Sequence, residues 1–191
     1  MGFLDAILGR SRPARPRLDA LFSIPNAAVT LETSLGLTPT GTGAVCYRAA
    51  DGVAFARLTQ EIDALIESGV DAPDASTSTD GYGFTWLTVR GGADDLSTLC
   101  TNLHVVNSTL EEQGFGHGLL CTLVPFEAPD GRRVGLVYLY KQGTFYPFAP
   151  VKGTRRRDNM LELQVRDQLA GELEIEEDLQ RWLALWDAPG L

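Results

Sequence analysis

The sequence predicts a single α+β domain in which an antiparallel β-sheet is flanked by helices. The chain has 191 residues and 44% hydrophobic content, which suits one ordinary hydrophobic core. Its strand-like and helix-like segments do not follow the regular βαβ alternation of a parallel sheet. Two apolar segments, residues 119–126 and 134–140, flank a short Ala-Pro-Asp-Gly turn. This pattern is typical of an antiparallel hairpin, and its near-continuous apolarity indicates burial.

The first part of the domain combines extended and helical patterns. We predict strands at residues 27–31 and 44–47, joined by a turn region rich in Gly, Pro and Thr. Apolar residues then recur at helical spacing from Asp51 until Gly69, which predicts an amphipathic helix. Residues 72–79 are polar, and we interpret them as a loop.

The middle of the chain carries the clearest helix pattern. Residues 82–89 contain aromatic and β-branched side chains that indicate a buried strand. Apolar residues between 96 and 110 alternate steps of three and four, and either Asp94 or Asp95 can cap the helix that this spacing predicts. The chain therefore continues from a strand into an amphipathic helix and then into the hairpin.

The C-terminal third is predicted to be helical. Asp158 is the expected N-cap of one helix, and residues 179–186 are interpreted as a second helical stretch after an interruption. Residues 158–187 also hold nine acidic side chains. The end of the chain is therefore expected to present a solvated acidic face.

The N-terminal segment, residues 1–17, is predicted to lie outside the domain, which comprises residues 18–191. A Pro-rich and Arg-rich stretch, residues 10–17, resists regular structure and reads as a linker. Apolar side chains before it and basic ones within it form an amphipathic pattern: Phe3, Leu4, Ile7, Leu8, Arg10 and Arg12. We expect a weak, reversible contact with a membrane surface, or equally docking on the protein itself or on a partner.

Composition excludes several classes of protein. The net charge of −9 disfavours a nucleic-acid partner. No segment reaches the roughly 18 apolar residues that a spanning helix requires. The start of the chain lacks the order of charge and apolar stretch that a secretory signal needs, and the three cysteines do not suggest a disulfide framework. We therefore expect a cytoplasmic protein that contacts the inner face of the membrane at most peripherally.

Candidate metal ligands are few. Cys100 and His104 lie four residues apart on a predicted helix, and His117 and Cys121 share that interval. On a strand, however, the second interval separates its residues by about 13 Å, which is too far for one ion. We interpret these side chains, together with Cys46, as packing or hydrogen-bonding groups. No metal, cofactor, small-molecule substrate or catalytic site is expected.

A run of three arginines, Arg155, Arg156 and Arg157, comes directly before the predicted C-terminal helix. Positive charge beside a helix N-terminus can bind an anion or an acidic partner. The alternative is that these arginines pair with acidic residues further along the same chain.

An aromatic cluster, Phe145, Tyr146 and Phe148, follows the second hairpin segment and is set among prolines. It can form a partner-facing patch. Folding back over the sheet edge is the alternative for the same residues.

Several segments resemble one protein family over the whole chain. They are MGFLDAILGRSRP, LDALFSIPNAAVTL, HVVNSTLEEQGFG, VYLYKQGTFYPFAP, RRDNMLELQVR and the ending WDAPGL. These segments resemble the PspAB family, the phage-shock-protein-A-associated proteins. The resemblance implies a non-enzymatic accessory of the envelope-stress system built around PspA, with PspA or an HtpX-type membrane protease as partner. It brings no catalytic residues.

The predicted architecture also fits two other functions. A sheet with flanking helices is also the architecture of small secretion-type chaperones, which hold unfolded segments in a groove. An exposed apolar groove with dimerisation would favour that function. A deep pocket with convergent polar groups would instead indicate an enzyme.

Overall fold

The computed structural model describes residues 17–50, 52–67 and 74–191. Apart from Arg17, the predicted N-terminal segment lies outside these residues. Within the described ranges, no helix is both long enough and apolar enough to cross a membrane.

Four α-helices and three short 3₁₀ turns are present in the described residues. The helices are α1 (Ile24–Leu35), α2 (Val53–Glu67), α3 (Leu96–Glu112) and α4 (Asn159–Leu169). The 3₁₀ turns are Leu18–Ser23, Gly116–Gly118 and Leu179–Arg181. The helices form a layer on one side of a β-sheet.

The β-sheet has seven antiparallel strands. They are β1 (Thr38–Pro39), β2 (Thr42–Tyr47), β3 (Asp74–Thr79), β4 (Thr85–Arg90), β5 (Leu119–Glu127), β6 (Arg133–Leu139) and β7 (Thr144–Phe148). The strand order is β3-β4-β2-β5-β6-β7, and β1 pairs with β5 beside β2. The prediction of a single α+β domain with an antiparallel sheet is confirmed, as is the β5–β6 hairpin.

The predicted strand at residues 27–31 is wrong, because this segment lies inside α1. Pro25 occupies the first turn, where its missing N–H has no cost, and Gly36 ends the helix at φ 66°. Ala27 and Leu31 lie four residues apart on the buried face. Residues 27–31 contain β-branched side chains, which favour a strand. The segment is too short to reveal the helical spacing of apolar residues along α1.

The predicted loop at residues 72–79 is also wrong, since residues 74–79 form β3. This strand pairs with β4 along its whole length, from Asp74 opposite Arg90 to Thr79 opposite Thr85. It is the outermost strand of the sheet, and its side chains are mostly exposed. A strand without a buried face has no apolar alternation, so its polar sequence looked like a loop.

The C-terminal third is less helical than the sequence predicts. Beyond α4, the only helical residues are the 3₁₀ turn Leu179–Arg181. Residues 171–191, the C-terminal strap, instead run along the edge of β7 and then across the sheet. The Phe145 N–H donates to the Glu174 carbonyl at 2.7 Å, and the Glu176 N–H donates to the Phe145 carbonyl at 2.8 Å. The strap therefore covers a sheet edge that would otherwise be open.

The two faces of the sheet are covered differently. All four helices contribute buried residues to the apolar cluster on one face, which we call the helical face. The other face, the second face, carries these buried side chains: Ala44, Cys46, Trp86, Cys121, Leu123, Val137, Tyr146 and Phe148. Trp182 and Ala188 of the strap pack on it. Because successive strand residues point to opposite faces, near-continuous apolar strands indicate that both faces are covered.

Asp95, and not Asp94, caps α3: its Oδ1 accepts a hydrogen bond from the Thr98 N–H at 3.0 Å. We predict that Asp95→Ala lowers the thermal unfolding midpoint by about 2–4 °C, because an N–H of the first helical turn loses its acceptor. Asp94→Ala is the matched control and should leave the midpoint unchanged. Thermal melts followed by circular dichroism measure both variants, and equal shifts would refute the assignment of the cap.

Candidate partner-binding site

A groove of about 560 Å³ lies on the second face, between the sheet and the strap. Most of its lining is apolar, and we call it the apolar groove; its main lining residues are Phe84, Trp86, Leu120, Leu139, Leu183 and Trp186. Two large side chains at its rim are mainly in water, Tyr82 at 64% exposure and Leu183 at 60%. The strap therefore leaves part of the second face open as an apolar depression, the kind of surface that accepts apolar ligand groups.

The backbone of the groove wall is fixed by Tyr146. Its hydroxyl donates to the Leu183 carbonyl at 2.9 Å, and its ring stacks on Trp182 with centroids 6.1 Å apart. Burial raises the pKa of Tyr146, so this hydroxyl stays protonated as a donor. The sheet and the strap are thus linked at the position where Leu183 forms the wall.

Asp80 holds the loop that brings aromatic side chains to the groove. It accepts hydrogen bonds from the N–H groups of Tyr82 and Phe84, each at 2.9 Å, and from the Trp86 indole at 3.0 Å. Loss of hydration acts to raise the pKa of Asp80, but the hydrogen bonds from Trp86, Phe84 and Tyr82 outweigh it and lower the pKa. This carboxylate positions the β3–β4 loop.

Two thiols lie on the floor of the groove. Cys46 of β2 is directly opposite Cys121 of β5, and both are buried. A hydrogen bond with Cys121, together with burial, raises the pKa of the Cys46 thiol. A protonated thiol is a weak nucleophile and a small apolar packing group, so the floor of the groove is apolar as well.

The other candidate metal ligands lie apart from this pair. Cys100 is buried on the helical face, where burial raises its thiol pKa to about 12. His104 packs its ring against Phe22, with centroids 4.9 Å apart, and His117 contacts the Gly114 carbonyl at 3.1 Å. Within the described ranges, no group of three or more His, Cys, Asp or Glu side chains could hold a metal ion.

Of the two alternatives for the aromatic cluster, the partner-facing patch is wrong, because its side chains are buried. Phe145 and Tyr146 are 1% exposed and Phe148 is 0% exposed. All three belong to β7, which the sequence did not predict as a strand. Phe145 faces the helical side, where it packs against Tyr138 with ring centroids 4.9 Å apart, whereas the other two belong to the second face. The aromatic residues are therefore part of the core.

Arg157 is an internal ion-pair residue. Its Nε lies 2.8 Å from Glu162 Oε1, and its side chain is 22% exposed against 4% for that of Glu162. Arg157 also donates to the Trp182 carbonyl, and its guanidinium lies 5.2 Å from the centre of the Phe148 ring. The same Glu162 oxygen accepts from the Ala149 N–H at 2.9 Å. Arg157 therefore pairs with an acidic residue further along the same chain, which was one of the two interpretations of the arginine run.

The other two arginines of the run are exposed. Arg155 pairs with Asp187 of the strap at 3.2 Å, and Arg156 is also exposed. Arg155 lines a second cavity of about 420 Å³ together with Arg133 and Lys152. Of the three arginines, Arg155 and Arg156 are therefore the two that are exposed enough to contact an anion or an acidic partner.

The predicted membrane or partner contact lies outside the described residues. This applies to Phe3, Leu4, Ile7, Leu8, Arg10 and Arg12. The described chain begins at Arg17, whose carbonyl accepts a hydrogen bond from the Tyr138 hydroxyl at 2.8 Å. The first described residue is therefore fixed against β6.

The apolar groove was not predicted from the sequence. Its lining comes from five strands and the strap, whereas the sequence pattern predicts Leu183 and Trp186 on one face of a helix. One signal was present: residues 119–126 are apolar at nearly every position, which requires cover on both faces of the sheet. The predicted helices could cover only one face.

Comparison with known proteins identifies a family. The family model described as PspA associated protein B matches residues 1–190. No curated protein and no solved structure matches the chain.

We predict that Arg157→Gln lowers the free energy of unfolding by about 3 kcal/mol, because it leaves the buried Glu162 carboxylate without its partner. Arg155→Gln removes an exposed pair and should change stability by less than about 0.5 kcal/mol. Urea denaturation of both variants measures the difference. A small change in both would show that the Arg157 pair contributes little to the fold.

Proposed function

We propose that this chain, which belongs to the PspA associated protein B family, is a non-enzymatic accessory protein of the phage-shock envelope-stress response. In this proposal its direct partner is PspA. The family match over residues 1–190 carries the proposal, because the family is described by its association with PspA. An HtpX-type membrane protease is the alternative partner.

The chemistry of the apolar groove supports a binding role. Its one lining carboxylate, Asp80, is used to hold backbone N–H groups and the Trp86 indole. The Cys46 thiol on its floor has a raised pKa. The groove therefore presents mainly apolar surface, with Lys141 and Gln142 at its rim, and such a surface suits the binding of apolar groups.

The N-terminal segment is the proposed contact with PspA or with the inner face of the membrane. Burying four apolar side chains contributes at most roughly 6–10 kcal/mol, and each arginine near an anionic surface adds about 1 kcal/mol. Ordering about nine residues costs about 1–2 kcal/mol each, which offsets much of this gain. A cytoplasmic protein attached in this way binds reversibly and responds to salt.

One observation favours a second candidate, a chaperone-like function. The apolar groove is large enough to accept several apolar side chains of an unfolded segment. A chaperone of this kind binds many unfolded proteins, whereas an accessory of PspA selects PspA. Competition between PspA and an unfolded model protein for the groove separates the two functions.

We predict that removing residues 1–16 leaves the domain folded and weakens PspA capture about tenfold at low salt. Arg17 is retained because its carbonyl accepts the Tyr138 hydrogen bond. Capture by the full chain should fall as salt rises, since arginines supply part of the attraction. Pull-down of purified PspA by both proteins at low and high salt, with circular dichroism as the folding control, measures this.

A full chain carrying Arg10→Gln, Arg12→Gln and Arg15→Gln is the matched control for charge. It should lose the salt dependence while keeping the apolar contact. If the truncated protein captures PspA as well as the full chain at both salt concentrations, the N-terminal contact is wrong. If truncation unfolds the protein, the apolar segment belongs to the core.

A further inference from the structure

We infer that the apolar groove is an intramolecular docking site for the N-terminal segment of the same chain. In the free protein, the four apolar side chains of that segment, Phe3, Leu4, Ile7 and Leu8, bind in the groove. This inference concerns the isolated chain, and it holds whether or not PspA is the partner. Three independent observations support it: the chemistry of the groove, the position where the described chain begins, and the placement of charge.

The groove has the chemistry that an apolar segment needs. Phe84, Leu120 and Leu139 are only partly buried on the second face. Tyr82 and Leu183 stand at the rim with more than half of their surface in water. A contiguous apolar surface of this kind is normally covered in the functional state. A cavity of about 560 Å³ is in the size range that encloses several side chains.

The described chain begins close to the turn that follows β6. The Arg17 carbonyl accepts from the hydroxyl of Tyr138, which lies near the end of β6. The turn that follows β6 contributes Lys141 and Gln142 to the groove rim, and a Cβ placed on Gly143 in that turn would lie 3.9 Å from the Tyr138 hydroxyl. Arg17 and the groove rim therefore meet at the same turn.

The linker is long enough to reach the groove. Arg17 lies nine positions after Leu8, and nine extended Cα–Cα steps span up to about 30 Å. Tyr138 packs on the helical face, so the linker must turn around the end of β6 to reach the groove on the second face. Stacked layers lie about 10 Å apart, and a reach of about 30 Å allows such a turn.

Charge complementarity directs the linker along the strap. The linker carries Arg10, Arg12, Arg15 and Arg17. The first half of the strap carries four exposed acidic residues, Glu172, Glu174, Glu177 and Asp178. Arg17 lines one small cavity together with Glu172 and Glu174, so the basic linker starts against the acidic stretch. Exposed pairs of this kind contribute little stability, but they favour one path for the linker over others.

Docking controls when the N-terminal segment is available. The same four apolar side chains cannot lie in the groove and in a membrane surface or a partner at the same time. An anionic surface or a partner must therefore compete with the groove for the segment. The affinity of the segment for the groove determines how strongly that surface or partner must bind to release it.

Photo-crosslinking of the full-length protein tests the docking directly. A benzophenone amino acid replaces Phe3, and labelled and unlabelled chains are mixed in equal amounts without PspA or lipid. We expect cross-links within one chain to residues 82–86, 120–121, 139–142 or 183–186. Cross-links to another surface, cross-links only between differently labelled chains, or no cross-link above background would each overturn the proposal.

Two exposed leucines of the strap provide matched variants. Leu183 at 60% exposure lines the groove, whereas Leu179 at 57% exposure does not. Leu183→Glu should reduce the yield of groove cross-links at least about tenfold, because a charge opposes burial of apolar side chains against it, and Leu179→Glu should not. Tyr82→Glu, at another part of the rim, provides a second measurement if Leu183→Glu fails to fold. Equal yields in the native protein and the groove variants would refute the docking.

Discussion

The ion pair between Arg157 and Glu162 joins three parts of the protein: α4, the end of β7 and the strap. Glu162 belongs to α4 and holds the Ala149 N–H just after β7, while Arg157 holds the Trp182 carbonyl of the strap. Removing two charges from water is costly, and hydrogen bonds to the charged groups offset part of that cost. Glu162 Oε1 accepts from the Ala149 N–H and from Arg157 Nε, while the guanidinium donates to the Trp182 carbonyl and lies over the Phe148 ring. The pair therefore fixes helix, sheet and strap relative to one another.

The strap is held at a second point by Glu176, and the groove follows from these two attachments. Glu176 accepts from the Thr144 hydroxyl at 2.8 Å, and its backbone carbonyl accepts from the Trp182 indole at 2.9 Å. The chain between Glu176 and Trp182 is thus fixed on the sheet, whereas Leu183 beyond it projects from the surface. Helices cover the helical face fully, and a single extended segment covers the second face only in part. An apolar depression is the physical result, and it supports the binding role proposed for the protein.

Local signals in the sequence predicted part of this fold. The α3 helix followed from its three-and-four spacing and the hairpin from its turn, because each is encoded within about twenty residues. The strand β3 was missed because an exposed edge strand needs no apolar alternation. The strand β7 and the strap were missed because Phe145, Trp182 and Leu183 are placed by contacts between distant segments. The same reason explains the site. The pairing of Arg157 depends on Glu162 and Trp182 together, and the groove forms only after five strands and the strap have assembled.

Hydrogen–deuterium exchange of the full-length protein with Glu162→Gln tests the central claim that this ion pair holds the strap on the sheet. Glutamine keeps the size of the side chain and an acceptor for the Ala149 N–H but removes the negative charge beside Arg157. The account predicts that strap amides between residues 176 and 186 exchange several-fold faster in the variant, while amides of the β5–β6 hairpin keep their native rates. Unchanged exchange throughout the strap would contradict it, because the strap and the groove would then be held by other contacts.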